Sequence, residues 1–247
     1  MHGQPAISPE SVLNKRNRKD DTMNTNTINI AIDGPAGAGK STIAKRLAKK
    51  LGYIYVDTGA MYRAMAYYFL QKGIESSDEA AIANACKDVD VTIAYEGNEQ
   101  QVILNGENIT GFIRTEQVGN MASATSVYPV VRTKLVELQR QLAKKENVIM
   151  DGRDIGTCVL PAATAKVYLT ASVEARAQRR YDELLQKGEK QDIEVIKADI
   201  EKRDYNDMHR DISPLKQADD AVLLDSSDMN IEQVTEAIMD IFRNAVK

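Results

Sequence analysis

The chain has only two cysteines and two histidines among its 247 residues. Cys86 and Cys158 form neither a CxxC pair nor a metal-spaced set, and two histidines cannot furnish a His-rich metal site. This usage points to a reducing, cytoplasmic setting. No apolar run approaches the roughly 18 residues of a membrane span; the longest are pieces such as 64–70, which carry helical spacing. The opening MHGQPAISPE lacks the apolar core of a secretory signal. Positive charge is not in excess either, with 32 Lys plus Arg against 36 Asp plus Glu and a net charge of −4. Nucleic-acid and membrane-surface partners, which call for concentrated basic charge, are therefore disfavoured. There is also no GxSxG, no HExxH and no histidine beside a nucleophile, so covalent and zinc chemistry have no visible apparatus.

What is present is ordinary globular composition, 43% apolar and 28% charged, in a length suited to one elaborated domain or two small ones. Residues 1–26 are polar and read as a disordered leader, with Met23 an alternative start and Lys15, Arg16, Arg18 and Lys19 on a solvated face. From 28 a rhythm of strand, glycine turn and helix begins. The apolar runs at 28–33, 53–56, 148–150, 166–169 and 221–224 have the form of strands buried on both faces, and helical stretches separate them. This alternation predicts an α/β fold around a doubly wound, five-stranded parallel sheet. Residues 89–95 and 101–105 instead alternate apolar and polar side chains around EGNEQ, which predicts a small antiparallel insert over about 84–112. Helices are expected over 115–127 and 129–145. A last one opens at Asn230, with Gln233 as its capping-box partner.

The strongest single signal is Gly34-Pro35-Ala36-Gly37-Ala38-Gly39-Lys40-Ser41, which satisfies GxxxxGK followed by Ser or Thr. Chance supplies this pattern in roughly one chain in a hundred of this length. Here it also lies between a buried strand and an amphipathic helix, so loop and helix-terminal N–H groups converge on a phosphate. Lys40 would lie along the β- and γ-phosphates and the Ser41 hydroxyl would reach Mg²⁺. Asp33 and Asp151 each end a buried strand. They are candidates for Mg²⁺ and its waters, with plain turn or cap duty as the alternative.

Positions 193, 196, 200, 203, 207 and 210 continue one helical stripe that reads Ile, Ile, Ile, Arg, Asp, Arg. Its charged half should face the same side as its apolar half, either as an Arg203–Asp207 ion pair or as the wall of a polar cleft for an anion. Arg63, Arg114, Arg132, Arg153, Arg176, Arg179 and Arg180 open or flank further helices and turns. Guanidinium groups match phosphate oxygens bidentately, so this supply in a net acidic chain suits a small polyanion.

Taken together, GPAGAGKST, YVDTGAMYRA (55–64), IRTEQVGNMAS (113–123), DGRDIGT (151–157) and RDYNDMHR (203–210) resemble the bacterial-type cytidylate kinases, in order and at matching spacing. The similarity runs from 28 to the C-terminus. It implies an adenylate-kinase-like P-loop fold with a core (27–57, 146–172 and 212–247), a monophosphate-binding region (58–145) that includes the insert, and a short lid over about 173–211. It further implies Mg²⁺-dependent phosphoryl transfer from ATP to CMP and dCMP, in pyrimidine nucleotide metabolism, by a monomer. Gly34 to Ser41 and Thr42 would cradle ATP, with Arg176, Arg179 and Arg180 in the lid and 187–190 at its tip. Tyr62, Arg63, Arg153 and Arg210 would hold the CMP phosphate, and Lys40, Arg63, Arg153 and Arg210 would carry catalysis. Ser123, Arg132 and Asp154 would read cytosine, Arg203 and Asp207 the ribose, and Thr58 stands where many relatives have Ser. Because Asp154 would accept from the exocyclic amine, UMP should be rejected. Two other readings fit less well. DGRD and RDYND speak against a shikimate-type kinase. A GTPase-like switch would need an NKxD signature downstream of the loop, whereas the one Asn-Lys pair, Asn14-Lys15, lies upstream of it.

Overall fold

The computed structural model describes residues 27–97 and 99–247, so the expectations for 1–26 lie outside the described residues. Strand β1 (Asn29–Asp33) is buried from Ile30 onward because it occupies the middle of a five-stranded sheet. It is flanked by β6 (Val148–Gly152) and β7 (Ala165–Thr170), with β2 (Ile54–Asp57) outside β6 and β8 (Val222–Asp225) outside β7. Every pairing is parallel. Each expected strand is present, displaced by one or two residues. The strand register aligns Asp57 with Asp151 and Asp33 with Gly152, so the carboxyl ends of three strands meet at one rim.

Helices cover both faces. On one side α1 (Lys40–Leu51) buries Ile43, Ala44, Leu47 and Ala48 together with Val234, Ile238 and Phe242 of α8 (Ile231–Ala245). Gly52, at φ 69°, ends α1 in the left-handed conformation that favours glycine. Asn230 and Gln233 form the expected capping box. On the other side lie α2 (Thr58–Gln71), α4 (Glu116–Thr125) and α5 (Pro129–Lys145). Their apolar faces join one large core in which Met61, Met65, Phe69 and Leu135 have no exposed surface. Among the described residues no helix is long and apolar enough to cross a membrane.

The insert is larger than its alternating strands suggested. It opens with α3 (Glu79–Asp88), capped by Asp78, which occupies part of the range assigned to antiparallel structure. With only Ile82, Ala85 and Cys86 buried on an alanine-rich helix, the helical periodicity is faint. β3 (Val91–Glu96) and β4 (Glu99–Leu104) then pair antiparallel as expected, and a short β5 (Glu107–Asn108) adds a third strand.

The stripe falls on α7 (Ile193–His209), which packs Ile196 and Ile200 against Ala177 and Leu184 of α6 (Val173–Gln186). Arg210 lies one residue past the helix, in extended backbone. Phe69 is the largest fully buried side chain of the main core. Phe69→Ala is expected to lower unfolding stability by about 3–5 kcal/mol. Urea denaturation checks this, and a loss below about 1 kcal/mol would mean that the site collapses onto the smaller side chain.

Candidate active site

The phosphate loop leaves β1 through Gly34, whose φ of 148° and close packing admit no side chain: a Cβ there would meet the Leu169 carbonyl oxygen at 1.9 Å. Gly37 and Gly39, at φ 76° and 86°, complete a turn that delivers the chain into α1. The α1 N-terminus carries no side-chain cap, so its N–H groups and positive dipole end stay available to an anion. The buried Lys40 donates its ammonium to the Pro35 carbonyl at 2.6 Å across this loop. Burial and the Arg153 guanidinium lower the Lys40 pKa to about 7.

Beside the loop stands Asp151. Its Oδ2 accepts from the Ser41 hydroxyl and its Oδ1 from Tyr55 Oη, both at 2.8 Å, while its carbonyl accepts from Thr58 Oγ1 at 2.7 Å. Burial raises the carboxyl above its ordinary pKa. Asp57, next to it in register, caps α2 through the Ala60 N–H and receives Arg63 at 3.3 Å and Arg114 at 2.9 Å. Asp33 has the turn contacts of its alternative reading: its two carboxylate oxygens accept the Ile155 and Gly156 N–H groups at 2.8 and 2.7 Å. They anchor a π-helical turn, Ile155–Val159, that follows Asp154. Burial nevertheless lifts the Asp33 pKa to about 6.

A second set of charged groups pairs off nearby. Arg132 and Asp154 form a buried ion pair, and the Arg132 guanidinium lies 5.9 Å from the centre of the Tyr62 ring. Arg210 approaches Asp154 at 3.8 Å. Asp207 pairs with Arg153 at 2.6 Å and not with Arg203, so the i,i+4 alternative does not form. Burial pulls the Arg153 pKa down, but the Asp207 carboxylate more than offsets it and leaves the value raised. Arg203 is exposed and reaches Asn120 at 3.3 Å. Arg176 is buried; it donates to the Ala36 carbonyl at 2.9 Å and pairs with Asp204 at 2.6 Å. Arg179 donates to Ser226, and Arg180 pairs with Glu183 at 3.0 Å.

One cavity of about 1110 Å³ gathers these groups. Ala36 to Thr42, Thr58, Tyr62, Arg63, Ser123, Arg132, Asp151, Arg153, Asp154, Arg176, Arg179, Arg180, Arg203, Asp207 and Arg210 all line it. Asp33, Gly34 and Pro35 lie behind the lining and support it. Sequence reasoning assigned no role to Tyr55 or Asp204, the partners of Asp151 and Arg176, because no local pattern marks a contact made across the fold. Asp57 was legible only as the start of a helix. Two guanidinium nitrogens, Arg63 Nε and Arg210 Nη2, are buried without a hydrogen-bond partner. Unpaired buried cationic donors call for an anion. Among the described residues no group of three or more His, Cys, Asp or Glu side chains is arranged to hold a metal ion.

A parallel sheet, a glycine-rich loop opening α1, a buried loop lysine and a facing wall of arginines define a P-loop kinase. The cytidylate kinase family model matches residues 30–244, and the chain belongs to that family. It is 47% identical to a cytidylate kinase of Geobacillus sp. over 90% of this chain and 99% of the relative. It is 50% identical to a cytidylate kinase of Bacillus licheniformis over 86% and 94% respectively. Among solved structures, an uncharacterized protein from Eubacterium ventriosum shares the fold at TM-score 0.50 and 12% identity, covering 88% of this chain and 99% of the other.

Burial and Arg153 hold the Lys40 pKa down near 7, so a phosphate settling beside it is expected to draw a proton onto the amine at about pH 8. Calorimetric titration with a nucleoside triphosphate at about pH 8, in two buffers of different ionisation enthalpy, is expected to report net proton uptake. Zero uptake would show that Lys40 is already charged in the free protein.

Proposed function

We propose that this kinase transfers the γ-phosphoryl group of ATP to CMP and dCMP, giving CDP or dCDP and ADP. The observation that carries the reading is the layout of the cavity. The phosphate loop and the buried Arg132–Asp154 pair line the same cavity, and the unpaired Arg63 and Arg210 donors are buried in its wall. Asp154 supplies an acceptor for the exocyclic amine of cytosine, while Arg132 and Ser123 supply donors for its O2 and N3. Uracil would set a carbonyl against that carboxylate, leaving buried polar groups unpaired and separating the two bases strongly. Tyr62, Arg63, Arg153 and Arg210 hold the acceptor phosphate, and Arg203 and Asp207 bind the ribose.

Ser41 and Asp151 offer the hard oxygen donors that Mg²⁺ prefers and would hold it, where it would neutralise charge on the donor phosphates. Lys40 and the loop N–H groups orient the donor phosphates. The helices over about 173–211 act as a lid that excludes water, so that an acceptor and not water receives the phosphoryl group. The enzyme works as a cytoplasmic monomer on small-molecule substrates.

The testing experiment is initial ADP formation with ATP and Mg²⁺ against CMP, dCMP, UMP, AMP, GMP and shikimate, with an acceptor-free control. Turnover confined to CMP and dCMP is expected. Equal use of UMP or AMP would overturn the base-reading roles of Ser123, Arg132 and Asp154, and ADP formed without an acceptor would overturn the kinase assignment to CMP. Lys40→Ala and Arg63→Ala are each expected to lower turnover by about 100-fold or more, as loss of a partner for transition-state charge should. Near-normal turnover in a folded variant would remove that residue from the mechanism.

A further inference from the structure

β2 is an outer strand of the parallel sheet, and such an edge presents N–H and C=O groups with no strand to receive them. In this chain two side chains of the insert meet them. Tyr95 donates its hydroxyl to the Tyr55 carbonyl at 3.0 Å. Gln100 accepts the Asp57 N–H at 2.8 Å through Oε1 and donates Nε2–H to the Asp57 carbonyl at 3.3 Å. A primary amide presents a donor and an acceptor side by side, so Gln100 stands in for the strand residue that the edge lacks. Tyr95 and Gln100 are direct cross-strand partners on β3 and β4, and one rung of the hairpin therefore makes all three bonds.

The two gripped residues share one face of β2, and their side chains hold the cavity's charged groups. Tyr55 binds Asp151, and Asp57 receives Arg63 and Arg114. We propose that Gln100, assisted by Tyr95, is a positioning residue through which the insert sets Asp57 and hence Arg63, which receives the acceptor phosphate. The proposal rests on the acceptor reading given above. It assigns the insert a share in acceptor binding that needs no contact between insert and substrate, because the hairpin acts on the backbone of β2.

The test compares steady-state constants for donor and acceptor in four single variants and in an Arg63→Ala background. Gln100→Ala, and Gln100→Met, which keeps the side-chain volume and deletes the amide, are each expected to raise KM for CMP about tenfold while KM for ATP stays within about twofold. Tyr95→Phe should shift the same constant in the same direction by less. Gln101→Ala, which removes the Gln101–Asn108 hydrogen bond inside the insert, should leave both constants unchanged. In an Arg63→Ala background, Gln100→Met should add nothing further. Equal rises in both KM values, an unchanged KM for CMP in folded Gln100→Met, full additivity with Arg63→Ala, or the same defect in Gln101→Ala would each overturn the proposal alone. A wild-type enzyme without CMP-dependent turnover would overturn the acceptor reading, and this inference with it.

Discussion

The fold is organised around two carboxylates that the sheet forces together. Asp57 and Asp151 are register partners at the carboxyl ends of β2 and β6, and both are buried. Ionised carboxylates held this close in a region of low dielectric are unfavourable unless each is separately satisfied. The surrounding elements supply that satisfaction. Tyr55 and Ser41 donate to Asp151; the α2 N-terminus, Arg63 and Arg114 serve Asp57. Ser41, Arg63 and Arg114 also line the cavity, so several groups that stabilise the rim face the cavity as well.

The same constraint shapes the electrostatics of the remaining charged groups. Asp154 draws Arg132 and Arg210, and Asp207 draws Arg153. Burial, followed by the neighbouring Arg132, lowers the Arg210 pKa. Crowded cations with unpaired donors hold unfavourable energy that a bound anion would relieve. Lys40 follows the same logic, since burial and Arg153 weaken its hold on a proton.

Much of this was readable from the chain. α5 carries its own boundaries, with proline at its first position and leucines at helical spacing, and the α8 capping box is spelled by Asn230 and Gln233. The phosphate loop needed only its glycines and the strand and helix on either side. Short alanine-rich α3 lacked a strong enough apolar face to declare itself against the alternating strands beside it. The contacts of the site were harder still. Asp207 could join Arg203 one turn away or Arg153, 54 residues back in sequence, and only the three-dimensional path of the chain decides for Arg153. The two amides that donate to Asp33 lie more than a hundred residues away in sequence, so no local pattern announced them.

Arg176 carries a different lesson. It joins α6 to α7 through Asp204 and to the phosphate loop through the carbonyl of Ala36. The Asp204 acceptor is a side chain that mutation can remove, whereas the carbonyls of Ala36 and Ala171 are main chain and survive a change of side chain. A change of side chain at position 36 leaves the main-chain acceptor of the tether in place, whereas loss of the side chain at 176 or 204 breaks the ion pair between α6 and α7. In a chimera that exchanged the α6–α7 hairpin between relatives, the segment would bring its own arginine and aspartate and find the third partner waiting in any loop of the same shape.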